Sequence, residues 1–245
     1  MMKKFFGLWL FVAVLVAAPA HATNYCGGLL PPGDVYLDQN QECFGGTITM
    51  QSYTRLHGNG FYINCHGGGN GLTYTGPQWV ALYGVGVYNC PGAGIDVKNA
   101  VQVWIEGSEF SANGGSGIRI DRSKRVTIKD TAVIGNGSWG INLSFVDNTT
   151  PTVGSSHIYA WNNGITGVYL DQTIRFRSVY NSIGGNGFRG VDFVQFTRDS
   201  SMKGGWLGGN NGKVAFSSFS HHNSAKTYSS CDQFVNAHDN QCLGQ

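Results

Sequence analysis

The chain has 245 residues, of which 37 are glycine and only 12% are charged. Its 16 basic and 14 acidic residues create no global field to gather nucleic acid, and no helical DNA-reading motif is present. A charged ligand would have to be met by a local patch.

The first segment reads as a leader. Lys3 and Lys4 precede the apolar run "FFGLWLFVAVLVAA", and "AHA" at residues 20–22 offers the small residues of a cleavage site. The run falls short of the roughly 20 residues a bilayer helix needs, so the expectation is export from residue 23 onward, with no membrane insertion. Without the leader, basic and acidic residues balance.

All six cysteines, Cys26, Cys43, Cys65, Cys90, Cys231 and Cys242, lie after the leader. An even number in an exported chain predicts disulfides, and the positions suggest neighbour pairs: Cys26 with Cys43, Cys65 with Cys90, Cys231 with Cys242. No CxxC occurs, so a zinc site is not expected.

Residues 23–45 are expected to form a cap, 46–220 a repeat region, and 221–245 a closing cap or tail. Within the repeat, glycine followed by an aliphatic residue recurs at Gly71, Gly94, Gly117, Gly140, Gly167 and Gly190, at steps of 23, 23, 23, 27 and 23. Such a period signals a stacked repeat architecture. The apolar residues alternate, as in half-buried strands. One inward pair follows each anchor, from Leu72 and Tyr74 to Val191 and Phe193. A second strand carries Val80 and Leu82, Val103 and Ile105, then Val126 and Ile128, with Phe176 and a polar Ser178 further on. A third column runs Val87, Phe110, Val133, Ala160, Ile183.

Three short strands per turn predict an all-β solenoid of about seven coils, a parallel β-helix. Asn113, Asn136, Asn163 and Asn186 then share one corner, where asparagine tolerates the left-handed conformation and its amide can bond along the stack. The glycines beside it are read as sharp turns. Four extra residues after Gly140 are placed in "SFVDNTTPT", as a projecting loop.

With these repeats, and with the opening segment "RLHGNGFYINC", the chain resembles the right-handed parallel β-helix superfamily of pectate-lyase-like and NosD-like proteins over roughly Gly46 to Ser220. The resemblance implies the fold and leaves activity open, since one fold hosts many functions. Its NosD-like side would imply copper, which needs clustered His or Met. Only His221 and His222 adjoin, so no metal and no cofactor is expected.

Chemistry must therefore sit on outward positions. One outward column reads Asp96, Arg119, Asn142, Tyr169, Asp192, and the next reads Lys98, Asp121, Ser144, Asp171, Val194. Asp121 and Asp171 would lie about 10 Å apart, slightly wider than the carboxylate pair of a hydrolase. A uronate lyase needs a base and a cation for the developing enolate. Tyr169 or Arg175 would be the base, and Arg119, Arg125 or Arg177 the clamp. The second strand is expected to stack Gln102, Arg125, Thr152, Arg175 and Arg198, with Trp104 and Arg177 alongside, as a stripe for acidic carbohydrate. The competing expectation is a solvated face on a rigid, non-catalytic scaffold.

Overall fold

A computed structural model describes residues 22–148, 155–208, 210, 212–216, 222–227 and 241–244. The leader up to residue 21, residues 149–152 of the extra loop and Cys231 of the expected Cys231–Cys242 bridge lie outside the described residues.

Alternating β-branched and polar residues fold into short strands that return to the same azimuth and pair in parallel throughout. The anchor wall contains nine strands, from Leu29–Leu30 through Ile95–Lys98, Ile118–Asp121 and Ile141–Ser144 to Gly212–Phe216. Ile95 pairs with Ile118, Ile118 with Ile141 and Ile141 with Val168, so like side chains pile on like. The second wall includes Gly33–Tyr36, Thr54–His57, Trp79–Tyr83 and Gln102–Glu106. The third begins with Gln41–Phe44, Tyr62–Gly67, Gly86–Tyr88 and Glu109–Ser111. From Val126–Ile134 onward a single strand bends around the corner and serves both walls, which fuses them into one 14-stranded sheet. The result is a three-walled parallel β-helix of about seven turns, as the repeat predicts.

The expected inward columns fill the interior. Val87, Phe110, Val133, Ala160 and Ile183 are fully buried, as are Phe176 and, within 1%, the polar Ser178. Burying each large aliphatic side chain contributes roughly 1.5–3 kcal/mol. Ser178 is accommodated because its hydroxyl bonds Oδ1 of Asn181 at 2.7 Å.

Coiling begins before Gly46, because Leu29–Leu30, Gly33–Tyr36 and Gln41–Phe44 give one strand to each wall. It also continues past Ser220, where Ser224–Thr227 pairs with Gln241–Gly244. The two described disulfides join Cys26 to Cys43 and Cys65 to Cys90, as expected.

The asparagine corner holds a correction. Asn113, Asn136, Asn163 and Asn186 are buried, yet the left-handed residue is the one before each: Ala112, Gly135, Asn162 and Gly185. Each amide donates to Oδ1 of the next asparagine at 2.9 Å and to a carbonyl of the preceding coil, and the ladder extends to Asn210. The glycines that follow it, none of them at positive φ, are needed for close approach as well. A Cβ on Gly140 would lie 2.5 Å from the carbonyl oxygen of Gly167 and 2.7 Å from Nδ2 of Asn163.

Candidate functional site

The expected site residues divide between two surfaces. Tyr169, Asp171, Asp121 and Arg119 lie on the outer face of the anchor wall, in the two columns the sequence predicts. Arg119 pairs in register with Asn142 and Asn142 with Tyr169, while Asp121 aligns with Ser144 and Ser144 with Asp171. Arg119 is exposed and its Nε lies 3.9 Å from Asp96, which Lys98 also meets at 3.1 Å.

Tyr169 is half-buried, its ring 5.2 Å from that of Trp139. Desolvation, then the negative Asp171 and Asp192 nearby, push its hydroxyl above the usual tyrosine range. Burial likewise raises Asp171, whose Oδ1 is shut from water without a hydrogen-bond partner. Burial raises Asp192 too, against the opposing pull of Arg189 at 2.7 Å. The raised carboxyl of Asp171 can hold and release a proton nearer neutrality than a free aspartate, whereas the raised phenol of Tyr169 stays protonated to higher pH and is a poorer base than a free tyrosine.

The expected arginines gather at one corner but do not stack in a single in-register column. Arg198 pairs in register with Ile174, and Ile174 with Asp147, while Arg177 pairs with Ser201. Arg125 and Arg175 sit at left-handed corner positions, at φ 46° and 57°. Arg125 donates Nε to the Val101 carbonyl at 3.1 Å, and Arg175 approaches Asp199 at 4.0 Å. The coil after Phe193 holds one more residue in this corner than its neighbour, which shifts Arg198 out of the column of Arg175. Thr152 lies outside the described residues. Arg177 lines a separate hollow with Asp199 and His222.

Trp104, by contrast, belongs to a built cleft on the second wall. Its outward column runs Asp34, Arg55, Ala81, Trp104, Thr127. Ala81 is the smallest side chain there and leaves a cleft of about 290 Å³, bounded by Arg55, Trp79, Tyr83, Gln102 and Trp104. Trp79 is held at one end by the Tyr53 ring, 5.7 Å away, and by the Arg55 guanidinium, 5.3 Å from its centre. Arg55 is itself steered by Asp34 at 3.3 Å. Trp104 donates its indole N–H to Glu106 at 2.9 Å, and Lys129 closes on the same carboxylate at 2.6 Å. These two donors hold the Glu106 carboxyl below the usual range. The cleft therefore has rigid aromatic sides and satisfied polar edges.

Arg55, Trp79 and Tyr83 are the part that sequence reasoning missed. Arg55 lies on a coil ahead of the regular 23-residue run and Trp79 and Tyr83 on its first coil, after Gly71, where only the alternation of Trp79 and Ala81 around Val80 could have marked them. Among the described residues no group of three His, Cys, Asp or Glu is placed to hold a metal, and no helix is long and apolar enough to cross a membrane.

Residues 35–206 match the family described as right handed beta helix region. The chain belongs to that family. No curated protein matches it significantly in sequence. Among solved structures, it is 14% identical to a mutant of a periplasmic alginate epimerase, AlgG, over 80% of this chain and 63% of that one, with a TM-score of 0.39. It is also 14% identical to the A-module of the Azotobacter vinelandii mannuronan C-5 epimerase AlgE6, over 87% and 78% of the two chains, with a TM-score of 0.46. Pectate lyase Pel9A is 13% identical over 89% and 66%, with a TM-score of 0.42. The chain thus spans less than two thirds of the epimerase AlgG, and its own geometry must carry any functional reading.

Proposed function

We propose that the protein is an exported polysaccharide-binding β-helix whose second wall holds a sugar ring in the Ala81 cleft. The observation that carries this reading is the pair Trp79 and Trp104 around an alanine floor, with Arg55 and Gln102 at the rim. Pyranose rings present apolar C–H faces and polar edges, which suit stacking against rigid indoles and hydrogen bonding at the rim. Arg55 adds a planar donor set for a sugar carboxylate. Two disulfides support an oxidising compartment, in keeping with the leader.

The test is titration of the purified chain with neutral and acidic polysaccharides, followed by tryptophan fluorescence and calorimetry. Binding that falls at least tenfold in Trp104→Ala supports the reading. An absence of binding across the panel returns the protein to the scaffold alternative.

A second reading, action on the bound chain, is favoured by Asp171. Its unbonded oxygen and raised carboxyl, beside Tyr169, make it the best-placed proton donor. Asp121, two coils away, is the second carboxylate of a hydrolytic pair, and Arg119 the neighbouring cation. New reducing ends, or the ultraviolet absorbance of an unsaturated uronate, would report cleavage or elimination. Asp171→Asn abolishing that signal while leaving binding intact would assign the role.

A further inference from the structure

Where the anchor wall turns into the second wall, one residue per coil is left-handed: Asn99, Arg122, Phe145, Gln172 and Phe196. Three of these are polar. Phe145 and Phe196 are not, and they are 46% and 59% exposed. A bulky ring in this conformation is unfavourable, and both rings remain largely open to solvent. Phe145 lies on the coil before Gln172 and Phe196 on the coil after, so their backbones are about 10 Å apart, two coil spacings. Between them is a hollow of about 360 Å³, with Gln172 and Ile174 as its floor. Phe145 and Asp147 form one side, Phe196 and Arg198 the other. From the preceding coil the Arg122 guanidinium lies 5.9 Å from the centre of the Phe145 ring and supports it.

The geometry points to this slot as a second sugar subsite, for the same polysaccharide chain that enters the Ala81 cleft, and to that chain as a uronic acid polymer lying along the corner. The inference rests on the polysaccharide reading above. The slot admits one sugar ring between two aromatic faces, with the Gln172 amide beneath and Arg198 at the edge. It lies four coils from the cleft, counted through Leu72, Ile95, Ile118, Ile141 and Val168, or about 19 Å along the axis.

Charge marks the path between. The coil midway carries Arg122, Lys124 and Arg125, all exposed, and Arg175 and Arg198 continue the line. Five cations face Asp121, Asp147, Asp171 and Asp199, a positive excess that suits carboxylates spaced along a polymer and not a neutral glycan. Asp171, which directly precedes Gln172, stands at the lip of the slot.

The experiment is calorimetric titration with oligogalacturonates from dimer to decamer, with neutral cello-oligosaccharides alongside. Two linked subsites predict that the decamer binds at least tenfold more tightly than the dimer, because the second contact becomes intramolecular. Phe145→Asn, which keeps a residue that Asn99 shows to be tolerated at this corner, should lower decamer affinity at least tenfold and leave dimer binding unchanged. Arg122→Ala with Lys124→Ala should flatten the salt dependence. If Phe145→Asn binds the decamer like the parent while Trp104→Ala does not, the slot is excluded and the Ala81 cleft stands. Equal affinity for neutral and acidic decamers overturns the uronate assignment. No binding by any oligomer overturns both the slot and the polysaccharide reading.

Discussion

The side-chain amide of Asn136 donates to Oδ1 of Asn163 at 2.9 Å, and its own Oδ1 accepts from Asn113 at the same distance. Its second N–H goes to the Phe110 carbonyl at 3.0 Å, and the Asn113 backbone N–H also donates to its Oδ1. Asn136→Ala strands several buried donors and acceptors at once and should destabilise the fold by about 1–3 kcal/mol or more. Urea denaturation measures it, with the outward Ser156→Ala as a control expected to change stability by less than about 0.5 kcal/mol.

Glycines in this chain serve two purposes, which mutation separates. Gly140→Ala places a methyl against the Gly167 carbonyl and the Asn163 amide and should cost about 1–3 kcal/mol. Gly135 has φ of 64° and open space around its Cβ position. Asn162 occupies the equivalent place one coil on, also left-handed. Gly135→Asn should therefore unfold at nearly the parent urea midpoint, and a large loss there would contradict the assignment.

Asp171 and Asp192 make the fold more stable in mild acid. Burial raises both carboxyls above their values in the unfolded chain, so the folded state binds protons more tightly. Their favourable contribution is complete below the ordinary aspartate range and is lost as pH rises through the raised values. Asp171→Asn should consequently raise the melting temperature at neutral pH, and the gain should shrink as pH falls through that window. A gain independent of pH would show that desolvation of the charge is not its source.

The bridge from Cys65 to Cys90 meets the asparagine ladder, since the Cys90 backbone N–H donates to Oδ1 of Asn113 at 3.0 Å. Replacing both cysteines by serine should lower stability by about 2–4 kcal/mol in a denaturant titration. Binding in the Ala81 cleft, on another wall, should survive under folding conditions.

The stack was legible because its period is carried by residues that have few substitutes. Glycine after glycine is excluded from having a Cβ, and Ile95, Ile118 and Ile141 must meet one another in the core. Outward positions carry no such constraint. The anchor-wall columns through Tyr169 and Asp171 could be placed because they lie within two to four residues of an anchor. Across the next corner, one additional residue before Arg198 was enough to break the alignment with Arg175. Arg55 and Trp79 were missed for different reasons: the coil of Arg55 precedes the regular spacing, and a tryptophan's role depends on the alanine two residues later leaving room beside it.

Since Asn113 and Asn136 occupy equivalent places in adjacent coils, removing residues 114–136 would join two identical cross-sections and leave every remaining storey with a matching neighbour. Length in this molecule is thus an adjustable quantity, separable from thickness. Such a deletion would shorten the ruler between the cleft and the slot by a single notch, and an ancestor could have gained reach by duplicating one floor without redesigning the others.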